Sequence, residues 1–429
     1  VAKYTKKPLK TVPGFVLCTF LILIFFYWER GTAISIILPW PMIAAALGLP
    51  FLFSRSYKID VFSITIFALI AFHCLNLAAF YIFNFEEPYQ TKFIIFRSAF
   101  TFLIILIGFQ LIKKVELQET ANVAKIATIV ILFSASLLIV LAYASDVSIR
   151  TMVENFYALN LRPIDKSWRL VFTNFSEAID PSESGNFRNA IAALMFTFIC
   201  MALPAWRKPL GQIAILVGAG LTILFLSGSG FVLLFLLIAT TAFAYRPFIF
   251  VFLAVFGVIL IFGAGFLSAD LFNAEYINAR IEGSTEGRLG HIQEGWHDIQ
   301  RSHYLGEYVG YKIHTVEGYL LYPHNMFIAI WLNGGLLGFL IFLGLYLTIL
   351  LSVAFTIIRL ARQKKVDVLL LSGAIATFPF LLRSQVGSPV SYFADYGSAI
   401  GIAYFLATKS LTKFQTKRRN GNANSIETG

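Results

Sequence analysis

Runs of about twenty apolar residues, each long enough to cross a hydrocarbon core, recur along this chain and constrain it more than any other feature. They fall at Val12–Trp28, Thr32–Phe53, Asp60–Phe83, Phe93–Ile112 and Val123–Ser145, then at Arg188–Trp206, Pro209–Ser227, Ser229–Tyr245 and Pro247–Ser268, and finally at Leu336–Ile358, Val368–Leu382 and Val390–Thr408. Only 13% of the 429 residues are charged, against roughly 25% in a soluble domain that must face water. Lipid is therefore the expected solvent. Segments that cross it as single units must be helical, because every backbone amide then needs a partner within its own segment. The expectation is an all-α integral membrane protein of about twelve transmembrane helices, a single polytopic domain over 1–429.

The formal net charge of +11 reports topology. Its basic residues gather in alternate connectors and the tails: Lys6, Lys7 and Lys10, Arg55 and Lys58, Lys113 and Lys114, Arg207 and Lys208, Arg359 to Lys365, and Lys413 to Arg419. That bias puts those connectors and both termini in the cytoplasm, with 410–429 as a cytoplasmic tail. No contiguous basic face with interleaved aromatics points to nucleic acid. Cys18, Cys74 and Cys200 lie inside apolar runs and read as small buried hydrophobes. The basic amino terminus followed by Phe15–Trp28 has no small-residue cleavage site and reads as a retained first helix.

Two stretches are too polar to span: 146–187 and 269–335, both extracytoplasmic by alternation. The second holds Asp270, Glu275, Glu282, Glu286, Glu294, Asp298, Glu307 and Glu317. It is expected to be partly helical, since after Glu286-Gly287-Arg288 the residues Leu289, Ile292, Trp296 and Ile299 share one helical face. That is the pattern of an interfacial helix with Trp296 at headgroup level. Pro323 then stops the incoming chain and an apolar helix follows, so His324 sits at a helix mouth. Asn333-Gly334-Gly335 breaks that short helix before a full-length run. The histidines His291, His297, His303 and His314 lack the spacing of a zinc motif, and no metal site or cofactor is expected.

The ordered set Gly287-Arg288-Leu289 with Trp296, then Tyr304-Leu305-Gly306, Pro323-His324-Asn325 and Asn333-Gly334-Gly335-Leu336-Leu337-Gly338 resembles the O-antigen ligase and polymerase superfamily. The resemblance covers roughly Ala279 to Phe342. It implies a bacterial inner-membrane enzyme whose site faces the periplasm. The implied reaction passes a glycan from a polyprenyl diphosphate to an acceptor sugar hydroxyl, such as that of the lipid A-core, without a metal. It places His324 and Arg288 in the catalytic positions.

The residues fit such chemistry on their own terms. No convincing Asp-x-Asp pair is present to hold a metal, so cationic side chains must stabilise the leaving diphosphate. An arginine fork grips two phosphate oxygens and stays charged, and a neutral histidine accepts a hydroxyl proton near neutral pH. Arg97, Arg188, Arg280, Arg383 and Asn325 are further candidates for diphosphate binding, with ion pairing or headgroup snorkelling as the ordinary alternative for the arginines near spans. The resemblance has one departure. Where the family often has Ser-Arg-Gly between the seventh and eighth spans, this chain has Ser227-Gly228-Ser229-Gly230. Either Arg188 or Arg97 supplies that charge from a neighbouring helix, or the diphosphate is held differently. A polymerase of the same superfamily is the alternative to a ligase. A transporter or flippase of lipid-linked sugars is the third reading, disfavoured because no half-to-half repeat with broken helices appears.

Overall fold

The computed structural model describes residues 12–25, 43, 46–52, 71, 103–115, 122–158, 160–175, 184–246, 290–306, 313–314, 320–321, 325–363, 365–386 and 396–426. They form α1 (Val12–Phe25), α2 (103–115), α3 (Asn122–Ala144), α4 (Ile149–Tyr157), α5 (Leu161–Phe175), α6 (Ser184–Ala202), α7 (Pro209–Leu224) and α8 (Gly228–Tyr245). The series continues with α9 (290–301), α10 (Met326–Ala361), α11 (Val368–Ile375), α12 (Phe378–Val386) and α13 (Tyr396–Ile426). Beyond helices, the described residues hold a two-residue antiparallel pairing of β1 (Ile313–His314) with β2 (Leu320–Leu321), in which Ile313 opposes Leu321.

Three helical segments are long and apolar enough to cross a membrane: Asn122–Ala144, Gly334–Ala361 and Val368–Gln385. Shorter apolar helices cover Val12–Ile24, Asn189–Ala205, Pro209–Leu224 and Ser229–Tyr245. Most of Thr32–Phe53 and Asp60–Phe83, and all of Pro247–Ser268, lie outside the described residues, as does the first part of Phe93–Ile112.

The bundle is organised around α6, whose residues from Ile191 to Ala202 are all buried. A helix that is apolar on every side belongs in the middle of other helices, and α6 packs against α3, α7, α8, α12 and α13. Close approach is set by small residues. A Cβ added at Gly397 of α13 would lie 2.7 Å from the Leu194 backbone nitrogen, and Thr197 Oγ1 donates to the Gly397 carbonyl at 3.0 Å. Peripheral helices instead turn large apolar side chains outward. On α10, Leu336, Leu340, Leu347, Leu351, Phe355 and Ile358 are all exposed along one stripe, and α8 exposes Phe231, Phe235 and Ile238. In water such faces are aggregation hazards; against lipid chains they cost nothing.

Three local features differ from the sequence expectation. The loop 146–187 contains two helices, α4 and α5, whose apolar residues recur at helical spacing between charged ones. The expected span Val368–Leu382 is interrupted at Ala376–Thr377, because Pro379 has no amide hydrogen to give the carbonyl four residues back. The final helix continues past Thr408 to Ile426, since Lys, Leu, Gln and Arg residues after Thr408 favour helix and no proline stops it.

Candidate active site

The start of α10 is fixed by Asn325. Its backbone is extended (φ −141°, ψ 125°), and its Oδ1 accepts from the amides of Phe327 at 2.9 Å and Ile328 at 3.2 Å. That satisfies two of the donors a helix leaves open at its amino end. The same side chain donates through Nδ2 to the Gln385 carbonyl at 3.2 Å, which ties the mouth of α10 to the last turn of α12. The junction is reinforced from below. Gln385 Nε2 donates to the Tyr346 hydroxyl at 3.1 Å, Tyr346 donates to the Leu381 carbonyl at 3.4 Å, and Ser384 Oγ reaches Met326 Sδ at 3.5 Å. Phe327 packs edge-on against Phe342 and Tyr346.

Arg383 lies in that same last turn of α12, buried at 8% exposure. A cation there complements the carbonyl end of the helix dipole. His324, one residue before Asn325, lies outside the described residues, as do Arg288, Arg280 and Arg97. The position next to His324 and the helix carrying Arg383 are thus joined by a side-chain hydrogen bond across a separation of 60 residues.

A second contact shapes the other end of the short arm of α10. At Gly335 the backbone takes φ 62° and ψ −169°, so a short helix meets the long apolar arm at a kink, as the glycine break in the sequence predicts. The residues after α9 press into this kink. His303, Tyr304 and Gly306 all have positive φ, and Trp331 Nε1 donates to the Tyr304 carbonyl at 3.0 Å. A Cβ at Gly306 would come 2.8 Å from the Trp331 carbonyl oxygen. Trp296 packs on Tyr304 and Trp331, and Trp331 stacks on Phe339 at 4.2 Å. On α9 the inward residues are Gly295, Asp298 and Ile299, while Trp296 is 41% exposed. Burial lowers the His291 pKa, which favours its neutral form.

The third element is the turn between α7 and α8. Ser227 caps α8 by accepting from the Gly230 amide at 3.1 Å, and its hydroxyl donates to Asn189 Oδ1 at 2.6 Å. Ser229 lies 3.0 Å from Ser227 and 3.5 Å from Asn189. Asn189 directly follows Arg188 on α6, so the turn without an arginine is hydrogen-bonded to the residue beside one. Helix α8 also packs on α10 and α12.

Asn189, Tyr346 and Gln385 were not singled out by sequence. Tyr346 offered only a hydroxyl inside an apolar run, while Asn189 and Gln385 stand beside Arg188 and Arg383-Ser384, where the arginines carried the signal. Among the described residues, no three His, Cys, Asp or Glu side chains gather into a metal-ligating group. Comparison of the chain with protein-family models, curated proteins and solved structures finds no match.

Proposed function

We propose that this chain is a membrane glycosyltransferase of the O-antigen ligase type. It moves a glycan from undecaprenyl diphosphate to a sugar hydroxyl of the lipopolysaccharide core, at the periplasmic face of a bacterial inner membrane. The observation that carries this reading is the Asn325–Gln385 hydrogen bond, which couples the residue after His324 to the helix turn holding the buried Arg383. A base and a cation at one end of an apolar bundle are what transfer from a lipid-linked diphosphate requires.

In the proposed step, His324 accepts the proton of the acceptor hydroxyl as its oxygen forms a bond to the anomeric carbon. The bond from that carbon to the phosphate oxygen breaks, and its electron pair leaves with the diphosphate. Arg288 and Arg383 face the negative charge that develops on the leaving group. Arg188, beside the Ser227–Gly230 turn, extends that cationic rim, with Arg97 and Arg280 as further contributors.

The test is transfer by the purified chain in nanodiscs, with a polyprenyl-diphosphate glycan as donor. His324→Ala should lower turnover about 10²–10⁴-fold with donor binding retained. Arg288→Ala should weaken both, and Arg288→Lys should rescue poorly because one ammonium cannot replace the planar fork. Activity should persist in excess chelator. Near-wild-type transfer by a folded His324→Ala protein would sink the catalytic reading. The glycan profile of a deletion strain separates ligase from polymerase. Bare core with accumulated lipid-linked polymer indicates a lost ligase, and single repeats on the core indicate a lost polymerase.

A further inference from the structure

We infer that α5 is a binding site for anionic lipid headgroups, held at the rim of the apolar bundle by Trp168. This goes beyond the transfer reaction and needs only that the bundle sits in a bilayer. Three observations meet in this helix.

The first is depth. Trp168 is fully buried, its indole N–H donates to the carbonyl of Leu224 at 2.8 Å, and its ring lies 4.8 Å from that of Phe225. Leu224 is the last residue of the apolar helix α7. The amphipathic helix α5 therefore lies where apolar surface gives way to polar turns, at the level of lipid phosphates in a membrane.

The second is the division of its faces. Ile164, Trp168 and Val171 are fully buried, whereas Arg162, Lys166 and Arg169 are exposed. Positions 162, 166 and 169 follow i, i+4, i+7 spacing, so the three cations form one row opposite the buried face.

The third is that helix stability does not explain the row. Arg169 pairs with Asp165 at 3.0 Å and is locally accounted for. Arg162 and Lys166 make no ion pair with another described residue. Arg162 stands in the first turn of α5, which holds no acid. A cation there opposes the helix dipole, so it costs stability where an acid would add it. Arg162 against the dipole and Lys166 one turn on, like-charged and exposed at headgroup depth, match the negative charge of a lipid surface.

The test uses the full chain purified from mixed micelles of phosphatidylglycerol and phosphatidylcholine, with retained lipid read by native mass spectrometry. Wild type should retain phosphatidylglycerol selectively. Arg162→Gln and Lys166→Gln should each reduce that selectivity by up to about fivefold, following roughly 1 kcal/mol per basic residue near an anionic surface. The charge-keeping pair Arg162→Lys with Lys166→Arg should preserve it. Both neutral variants alter exposed side chains, and Arg162→Gln removes a cation that opposes the helix dipole, so unchanged or slightly raised thermal stability should accompany the loss. Selectivity that survives removal of both charges overturns the site. So does displacement of the lipid by inorganic phosphate but not by chloride at equal ionic strength, which assigns the row to the free ion instead.

Discussion

Gly335 has φ 62° with ψ −169°, a backbone region open essentially to glycine alone. Its neighbour across the kink is the Leu305 carbonyl, which an added Cβ would strike. Gly335→Ala should therefore destabilise the folded chain by about 1–3 kcal/mol from backbone strain alone, with the collision adding to it. Thermal unfolding in detergent checks this, with Gly344→Ala as the control because nothing lies near that position. Asn325 shows how one side chain serves two purposes. Its Oδ1 caps α10 and its Nδ2 holds α12, so Asn325→Asp should keep the cap but lose the tie. A histidine signal was legible because a proline and a helix start flank it. The Gln385 carbonyl was not, since a backbone acceptor carries no sequence mark.

Among elements, α5 depends on a single indole. Trp168→Phe keeps the ring against Phe225 but leaves the Leu224 carbonyl without its donor, an expected loss of about 1 kcal/mol. Limited proteolysis should then cut 146–187 faster than in wild type, while cleavage elsewhere stays unchanged. Helix α9 has a pH dependence of definite sign. His291 is held below its ordinary value of 6.5 by burial, so its folded form binds fewer protons than its unfolded form. The stability this provides is fully present above pH 6.5 and is lost as pH falls through the window below it. The protection factors of the 290–301 amides, taken relative to the slower intrinsic exchange at low pH, should fall on acidification through that window, and His291→Gln should flatten the response. An equal fall in both proteins would assign the effect to another group.

At the scale of the whole molecule, the exposed apolar stripes on α7, α8 and α10 and the buried 191–202 stretch of α6 describe a bundle turned outward to lipid. The alternation of basic connectors predicts that Arg207 and Lys365 lie on the cytoplasmic side and the 146–187 segment opposite them. Cysteines placed at Lys365 and at Arg150 should react with an impermeant reagent in intact cells only at the second position. Labelling at the first would reverse the assignment, and with it the side on which the proposed transfer occurs.

By itself the sequence located the apolar helices found among the described residues, because apolar runs are local properties of the chain. Helices α3, α7 and α8 begin and end within a few residues of their expected limits. It also marked the Gly335 break and the helix start at Met326, since glycine and proline act on their immediate neighbours. The folding of 146–187 into α4 and α5 was not read from its polar composition, although the spacing of Ile164, Trp168 and Val171 carried it. Only the tertiary structure decided which polar residues meet. That Asn325 reaches Gln385, Ser227 reaches Asn189 and Trp168 reaches Leu224 depends on how helices far apart in the chain pack together. Helix packing is set by the sum of many weak contacts between small and large side chains. No single residue type announces its outcome.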